Sequence, residues 1–173
     1  MRRVPVLLAL VLLALTAACS ERSTTSSDEG TGEATIVRPV DGDTVVVDVD
    51  GQEERLRLIG IDTPESVAED RPVECFGPES KDRTAELLPA GTEVRLERDV
   101  EARDQYDRLL AYVTRAEDDV LVNLLLVEEG MAEARSYPPN TARQDQLEAA
   151  EGAARADGRG LWAACGGTDV PIG

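Results

Sequence analysis

Residues 41–65 read DGDTVVVDVDGQEERLRLIGIDTPE, and this stretch decides the fold. Asp41-Gly42-Asp43 forms a tight acidic turn, and Thr44–Val49 is a run rich in β-branched residues. Asp50-Gly51 is a strong hairpin signal, and Glu54–Ile61 is the returning strand. A hairpin returns its ends to one place, so Asp43 is expected to meet the segment around Asp62 and Glu65. Gly60 matters to that meeting. Arg57 and Asp62 are an odd number of residues apart, so a regular strand would point them to opposite faces. A bulge or bend at Gly60 is needed to bring them together.

The groups gathered in this way suit one kind of chemistry. Asp43 and Asp62 are candidate metal ligands. Calcium takes six to eight oxygens, and two carboxylates plus the Thr63 carbonyl leave room for water and a phosphate. Glu65 is the candidate general base for a water attacking phosphorus. Arg57, set among aliphatics in LRLIGI, and Arg108, in DQYDRLLAYV, are candidates to hold the non-bridging oxygens. Each residue taken singly has an ordinary explanation: a turn aspartate, a capped helix start at Asp62-Thr63-Pro64, a solvated glutamate or a surface arginine. It is their combination that points to a site.

Outward from this stretch, the chain of 173 residues has room for one domain with one core. Aromatic residues make up only 3% of it, so the core must be built from Val, Leu, Ile and Ala. A mode of nucleic-acid binding based mainly on stacking is disfavoured for the same reason. The formal charge of −17, from 35 acidic against 18 basic residues, also weighs against a polyanionic partner unless local charge in a cleft opposes the net field. There is no histidine. That excludes His-based acid–base pairs, Ser-His-Asp triads and His-ligated zinc, and leaves carboxylates, arginine, tyrosine or an oxygen-bound metal to carry any catalysis.

Residues 1–18 have a basic start (Arg2, Arg3), an apolar run from Val4 to Leu15 and a small-residue exit, the pattern of a secretory signal peptide. Cys19 follows directly and resembles the lipidation site of a bacterial lipobox, although Thr16 departs from it; an ordinary signal peptide is the alternative. The expectation is a secreted, extracellular protein tethered to the cell membrane by lipid on Cys19. Residues 19–34 are polar and rich in Gly, Ser and Thr, and read as a flexible tether. With Cys19 set aside, Cys75 and Cys165 remain as an even pair in an oxidising compartment. A bridge between them is worth about 4–5 kcal/mol in the chain-entropy model; two free buried thiols are the alternative.

The remaining elements read in order. Ile36–Val40 is a strand. A helix opens at Gly77-Pro78-Glu79 and runs to Leu88, with proline in its first turn. Thr92–Arg98 and Leu109–Thr114 are strands, Val120–Glu129 is a short helix closed by Gly130, and Ala132–Tyr137 is a last extended piece. Thr141 and Gln144 are spaced as a capping box for a helix to about Ala156. The fold class is mainly β with α+β content: a five-stranded OB-fold barrel with three packed helices over residues 35–165, followed by a flexible tail at 166–173.

DGDT (41–44), RLRLIGIDTPE (55–65), FGPES (76–80), DQYDRLLAYV (104–113), LVNLLLVEEGMAEA (121–134) and YPPNT (137–141) occur in this order. Together they resemble the thermonuclease, or staphylococcal-nuclease-like, family over about residues 35–163. The resemblance implies a monomeric OB-fold nuclease that hydrolyses DNA and/or RNA with Ca²⁺. It assigns the metal to Asp43, Asp62 and Thr63, the base to Glu65, and the phosphate clamp to Arg57 and Arg108. It implies nucleotide contacts for Tyr106 and Tyr137, and places Asp41 at the edge of the metal site. Three positions depart from the family pattern. Gln105 stands for a lysine, Asp107 for a glycine and Arg135 for a tyrosine, and Asp107 is expected to pair with Arg108 and weaken its hold on phosphate. The alternative is a non-catalytic OB-fold binding module at the cell surface.

Overall fold

The computed structural model describes residues 31–66 and 72–172. The segment read as a signal peptide, Cys19, and the part of the expected tether up to residue 30 lie outside the described residues. In chain order the elements are β1 (Thr31–Pro39), β2 (Thr44–Val49), β3 (Gln52–Leu58), β4 (Ile61–Asp62), α1 (Gly77–Leu87), β5 (Glu93–Glu97), β6 (Leu109–Arg115), α2 (Val122–Glu128), β7 (Glu133–Ala134), α3 (Gln144–Ala156) and α4 (Leu161–Ala164). Five strands close a barrel in the order β1-β2-β3-β6-β5, while β4 and β7 pair as a separate two-stranded sheet. This is the expected OB-type barrel. Among the described residues it carries four helices rather than three, the last a single turn.

Alternation fills the barrel. Val45, Val47, Leu56, Leu58, Val94 and Leu96 are all buried, as the period of two predicts for strands with one face inward. Burying such a side chain is worth roughly 1.5–3 kcal/mol, so aliphatics suffice where aromatics are scarce. Tyr112 is the exception, fully buried with its hydroxyl accepting from the Arg143 N–H at 3.2 Å. Burial, the foremost influence, pushes the Tyr112 phenol up from its ordinary value.

Three boundaries differ most from expectation. β1 begins at Thr31, inside the segment read as tether, because residues 31–35 pair backbone to backbone with Glu93–Glu97 of β5. Backbone pairing leaves little trace in a polar sequence. α3 starts at Gln144 with Arg143 as its N-cap and no side-chain cap, so Thr141 and Gln144 form no capping box. The Gln144 N–H instead donates to the Thr141 carbonyl at 3.0 Å, closing a turn. Residues 166–172 are not a free tail: Pro171 bridges to Glu74, and the Ile172 N–H donates to the Val73 carbonyl.

The pairing that matters most for the site is long-range. β3 and β6 run parallel, with Arg57 opposite Leu110 and Leu56 opposite Leu109. Arg108 enters β6 two residues before the partner of Arg57, and a period of two sets both on the same face. Between β3 and β4, Gly60 adopts φ +78°, the left-handed region that glycine enters without strain. An added Cβ there would lie 2.5 Å from Leu147 Cδ1 of α3. Asn123 of α2 fixes the residue before the bend, accepting from the Val113 N–H at 2.8 Å and donating to the Ile59 carbonyl at 2.9 Å.

Candidate active site

The bend at Gly60 does what the odd spacing of Arg57 and Asp62 requires. The Arg57 guanidinium donates through Nη2 to Asp62 Oδ1 at 2.9 Å and to the Ile61 carbonyl at 3.0 Å. Its Nη1 pairs with Asp43 Oδ2. One guanidinium therefore bridges the two candidate metal ligands. Arg57 and Asp43 are largely buried, and Asp62 is about a quarter exposed.

Asp43 is held by its neighbours on both oxygens. Oδ2 accepts from the Thr63 hydroxyl at 3.1 Å and the Thr63 N–H at 3.3 Å, and Oδ1 accepts from the Thr44 hydroxyl at 3.0 Å. The acidic turn comes very close to this segment at Gly42, where an added Cβ would meet Thr63 Oγ1 at 2.6 Å. Thr84 of α1 ties the turn from beneath, donating to the Gly42 carbonyl at 2.6 Å. The sequence DGD is thus a turn in local terms, and tertiary contacts make it one wall of a site.

Asp43, Thr44, Arg57, Asp62 and Thr63 line a cavity of about 420 Å³ together with Asp41, Glu65, Gln105, Tyr106, Arg108 and Tyr137. Tyr106 and Tyr137 are exposed at the same cavity. Tyr106 sits 5.5 Å from the Arg108 guanidinium and Tyr137 5.9 Å from that of Arg57, each within cation–π range. The Tyr137 hydroxyl also reaches Asp62 Oδ1 at 3.4 Å. Every residue expected at the site from the sequence is therefore in one place, including Arg108 from the later strand.

Arg108 is not paired with Asp107 as expected. Asp107 adopts φ +63°, which explains why glycine suits this position, and its carboxylate lies 3.5 Å from Arg103 instead. The partner of Arg108 is Asp104, which accepts from Nε and Nη2 at 2.7 Å and leaves Nη1 outside the pair. Asp104 also accepts from the N–H groups of Tyr106 at 2.9 Å and Arg108 at 3.0 Å, so it folds the loop that presents both. Burial opposes its charge, but these bonds outweigh it and hold the Asp104 carboxyl below the usual carboxylate range.

This arrangement gives a stability prediction. A depressed folded pKa contributes stability that is fully present above the unfolded pKa and is lost as pH falls through the folded one. Asp104→Asn is therefore expected to cost about 1–2 kcal/mol at pH 7, the scale of a charged hydrogen bond discounted for partial exposure. The difference should close once the pH has fallen below the depressed Asp104 pKa. Urea unfolding of both proteins at pH 7 and under acid checks it, and a constant difference would rule it out.

Four partners were not read from the sequence: Asp104, Glu74, Asn140 and Asp169. Asn140 is buried, donating to the Glu101 carbonyl at 3.0 Å and accepting from the Glu101 N–H at 2.8 Å, which fixes the turn carrying Tyr137. Arg135 reaches Asp62 Oδ2 at 3.0 Å, Glu133 at 2.5 Å and Asp169 at 3.4 Å. Burial lowers its pKa, yet Asp62 and Glu133 outweigh that and the net direction is up. Cys75 and Cys165 are joined, with Cα atoms 6.0 Å apart.

A model of the family described as Staphylococcal nuclease homologue matches residues 55–164. The chain belongs to the staphylococcal nuclease family. It is 42% identical over 138 residues to "Thermonuclease" of Staphylococcus intermedius, covering 79% of this chain and 80% of that one. It is 40% identical over 127 residues to "Thermonuclease" of Staphylococcus hyicus, covering 73% of each. It is also 37% identical over 134 residues to "Endonuclease YncB" of Bacillus subtilis (strain 168), covering 76% of this chain and 62% of that one.

The donor set suits a hard cation, because Asp43, Asp62 and Glu65 offer oxygen and no histidine is present. Among the described residues no group of three or more His, Cys, Asp or Glu side chains is clustered to hold a metal. Two carboxylates would therefore supply a minority of the oxygens, with water, a carbonyl and substrate supplying the rest. The charge balance points the same way. Carboxylates outnumber arginines eight to two around the cavity, a balance that favours a cation.

Proposed function

We propose that this staphylococcal nuclease family member is a secreted, calcium-dependent nuclease that hydrolyses phosphodiester bonds of DNA and/or RNA. One observation carries the reading: Arg57 draws Asp43 and Asp62 together in a cavity that also holds Glu65 and Arg108. The relatives named thermonuclease and endonuclease support it. Secretion and a lipid anchor at Cys19 are part of the proposal and rest on the N-terminal sequence.

Bound calcium would supply positive charge against the phosphoryl oxygens, held by Asp43 and Asp62 with the Thr63 carbonyl. The chain's own residues do the rest. Glu65 accepts a proton from the attacking water as its oxygen bonds to phosphorus. One P–O ester bond breaks, and the leaving oxygen departs with the bonding electrons and takes a proton from solvent. Arg57 and Arg108 meet the non-bridging oxygens, where charge builds in the transition state. Tyr106 and Tyr137 stand at the cavity as surfaces for a base or sugar. A non-catalytic binding module is less well supported, because every residue the chemistry needs is present and convergent. The test is cleavage of single-stranded DNA and RNA by the purified protein. Activity should require calcium and stop in excess chelator, whereas binding without cleavage under any divalent ion would favour the module.

A further inference from the structure

The C-terminal segment reaches the site by two routes. On the first, the Cys75 N–H donates to the Val170 carbonyl at 2.6 Å and the Ile172 N–H to the Val73 carbonyl at 3.1 Å, laying residues 170–172 along 73–75 like an added strand. Glu74 sits in the middle of that pairing, bridged to Pro171. Glu74 is also bonded to Glu65 in both directions. Its N–H donates to the Glu65 carbonyl at 2.9 Å, and its Oε2 accepts from the Glu65 N–H at 2.9 Å. On the second route, Asp169 pairs with Arg135, which pairs with Asp62. The disulfide from Cys165 to Cys75 fixes the start of the segment, across a separation of 90 residues.

We infer that residues 165–172 form a disulfide-anchored strap that positions Glu65 through Glu74 and Asp62 through Arg135. This segment then supports the catalytic residues without touching the reacting atoms, and Glu74 is a positioning residue. The physical ground is that a general base contributes only when held within hydrogen-bond reach of its water. A displacement of about 1 Å can cost on the order of 10²-fold in rate. Backbone pairing at 73–75 restrains the residue that clips the Glu65 backbone, and the cross-link keeps that pairing from fraying as a free terminus would. The inference rests on the proposed nuclease reading for its effect on rate, but not for its effect on local order.

Four variants test it: a chain ending at Gly166, which keeps the disulfide but removes the pairing and Asp169; Cys75→Ser/Cys165→Ser; and Glu74→Ala beside Glu74→Gln. The readouts are amide hydrogen exchange at Glu65 and Glu74, and the split of kcat from KM. The shortened chain and the double serine variant are expected to exchange at these amides about tenfold faster while β2 and β6 stay protected. Their kcat should fall about tenfold with KM changed by less than about twofold. Glu74→Gln, which retains an acceptor oxygen, should restore most of what Glu74→Ala loses. Unchanged exchange at Glu65, or faster exchange with unchanged kcat, overturns the inference. If the double variant fails to fold, the chain ending at Gly166 decides. If wild-type protein cleaves neither nucleic acid, the nuclease reading falls, and the exchange rates alone support or overturn the strap.

Discussion

Glu65→Gln is expected to lower kcat about 10³-fold, within the range of roughly 10²–10⁴ that a positioned base contributes, and to leave folding intact. The chain has no histidine, so a carboxylate must take the proton. Glu65 lines the cavity that also holds Arg57 and the two candidate metal ligands, with its backbone clipped to Glu74. Glutamine keeps the size and loses the ability to take a proton. Single-turnover cleavage separates this loss from binding, and KM is expected to change little. A Glu65→Gln protein within tenfold of wild type would remove Glu65 from the mechanism.

Arg57→Ala should have the second largest effect, in two separable parts. Its loss from the transition state is worth about 10²–10³-fold in kcat/KM, the scale of one preorganised donor. Its loss from the fold leaves Asp43 buried beside Asp62 with no guanidinium between them. Removing one partner of a buried pair costs about 3–5 kcal/mol, and somewhat less here because Asp62 is partly solvated. Calcium should offset that cost, since a ligand that binds only the folded state stabilises it by mass action. The melting temperature of Arg57→Ala is therefore expected to rise more with added calcium than that of wild type, where Arg57 competes for the same carboxylates. Arg57→Lys should recover charge but not the bridge, because a single ammonium does not reproduce the planar fork. Equal calcium shifts in the wild type and the alanine variant would argue against a shared site.

The barrel and the convergence at Gly60 were legible because both rest on local rules. Alternation of Leu56 and Leu58 about Arg57 marks a strand, and Asp50-Gly51 marks the hairpin. What escaped reading rests on pairing at a distance. Arg108 was named by its motif, but its route to the site was not: β3 and β6 run parallel, and no local pattern fixes which strands of a barrel become neighbours. The Asp107–Arg108 pair was expected from adjacency. A left-handed residue at Asp107 turns its carboxylate to Arg103 and leaves Asp104 to hold Arg108. Thr31–Ala34 were read as flexible because they are polar or small, and residues 170–172 as part of a tail beyond the last helix. They are held by backbone hydrogen bonds that any side chain allows. The role of Glu74 was hidden for a similar reason, since half of its link to Glu65 is main chain.

The most direct test of the shared carboxylate site is the calcium dependence of DNA cleavage by wild type and Asp62→Asn, measured side by side. Wild type should show a saturable rise from no activity in chelator. Asp62→Asn should need at least about tenfold more calcium for half its maximal rate, the loss of one ligating charge being worth at least about 1.4 kcal/mol. Superimposable calcium curves, or cleavage by wild type that persists in chelator, would contradict the account.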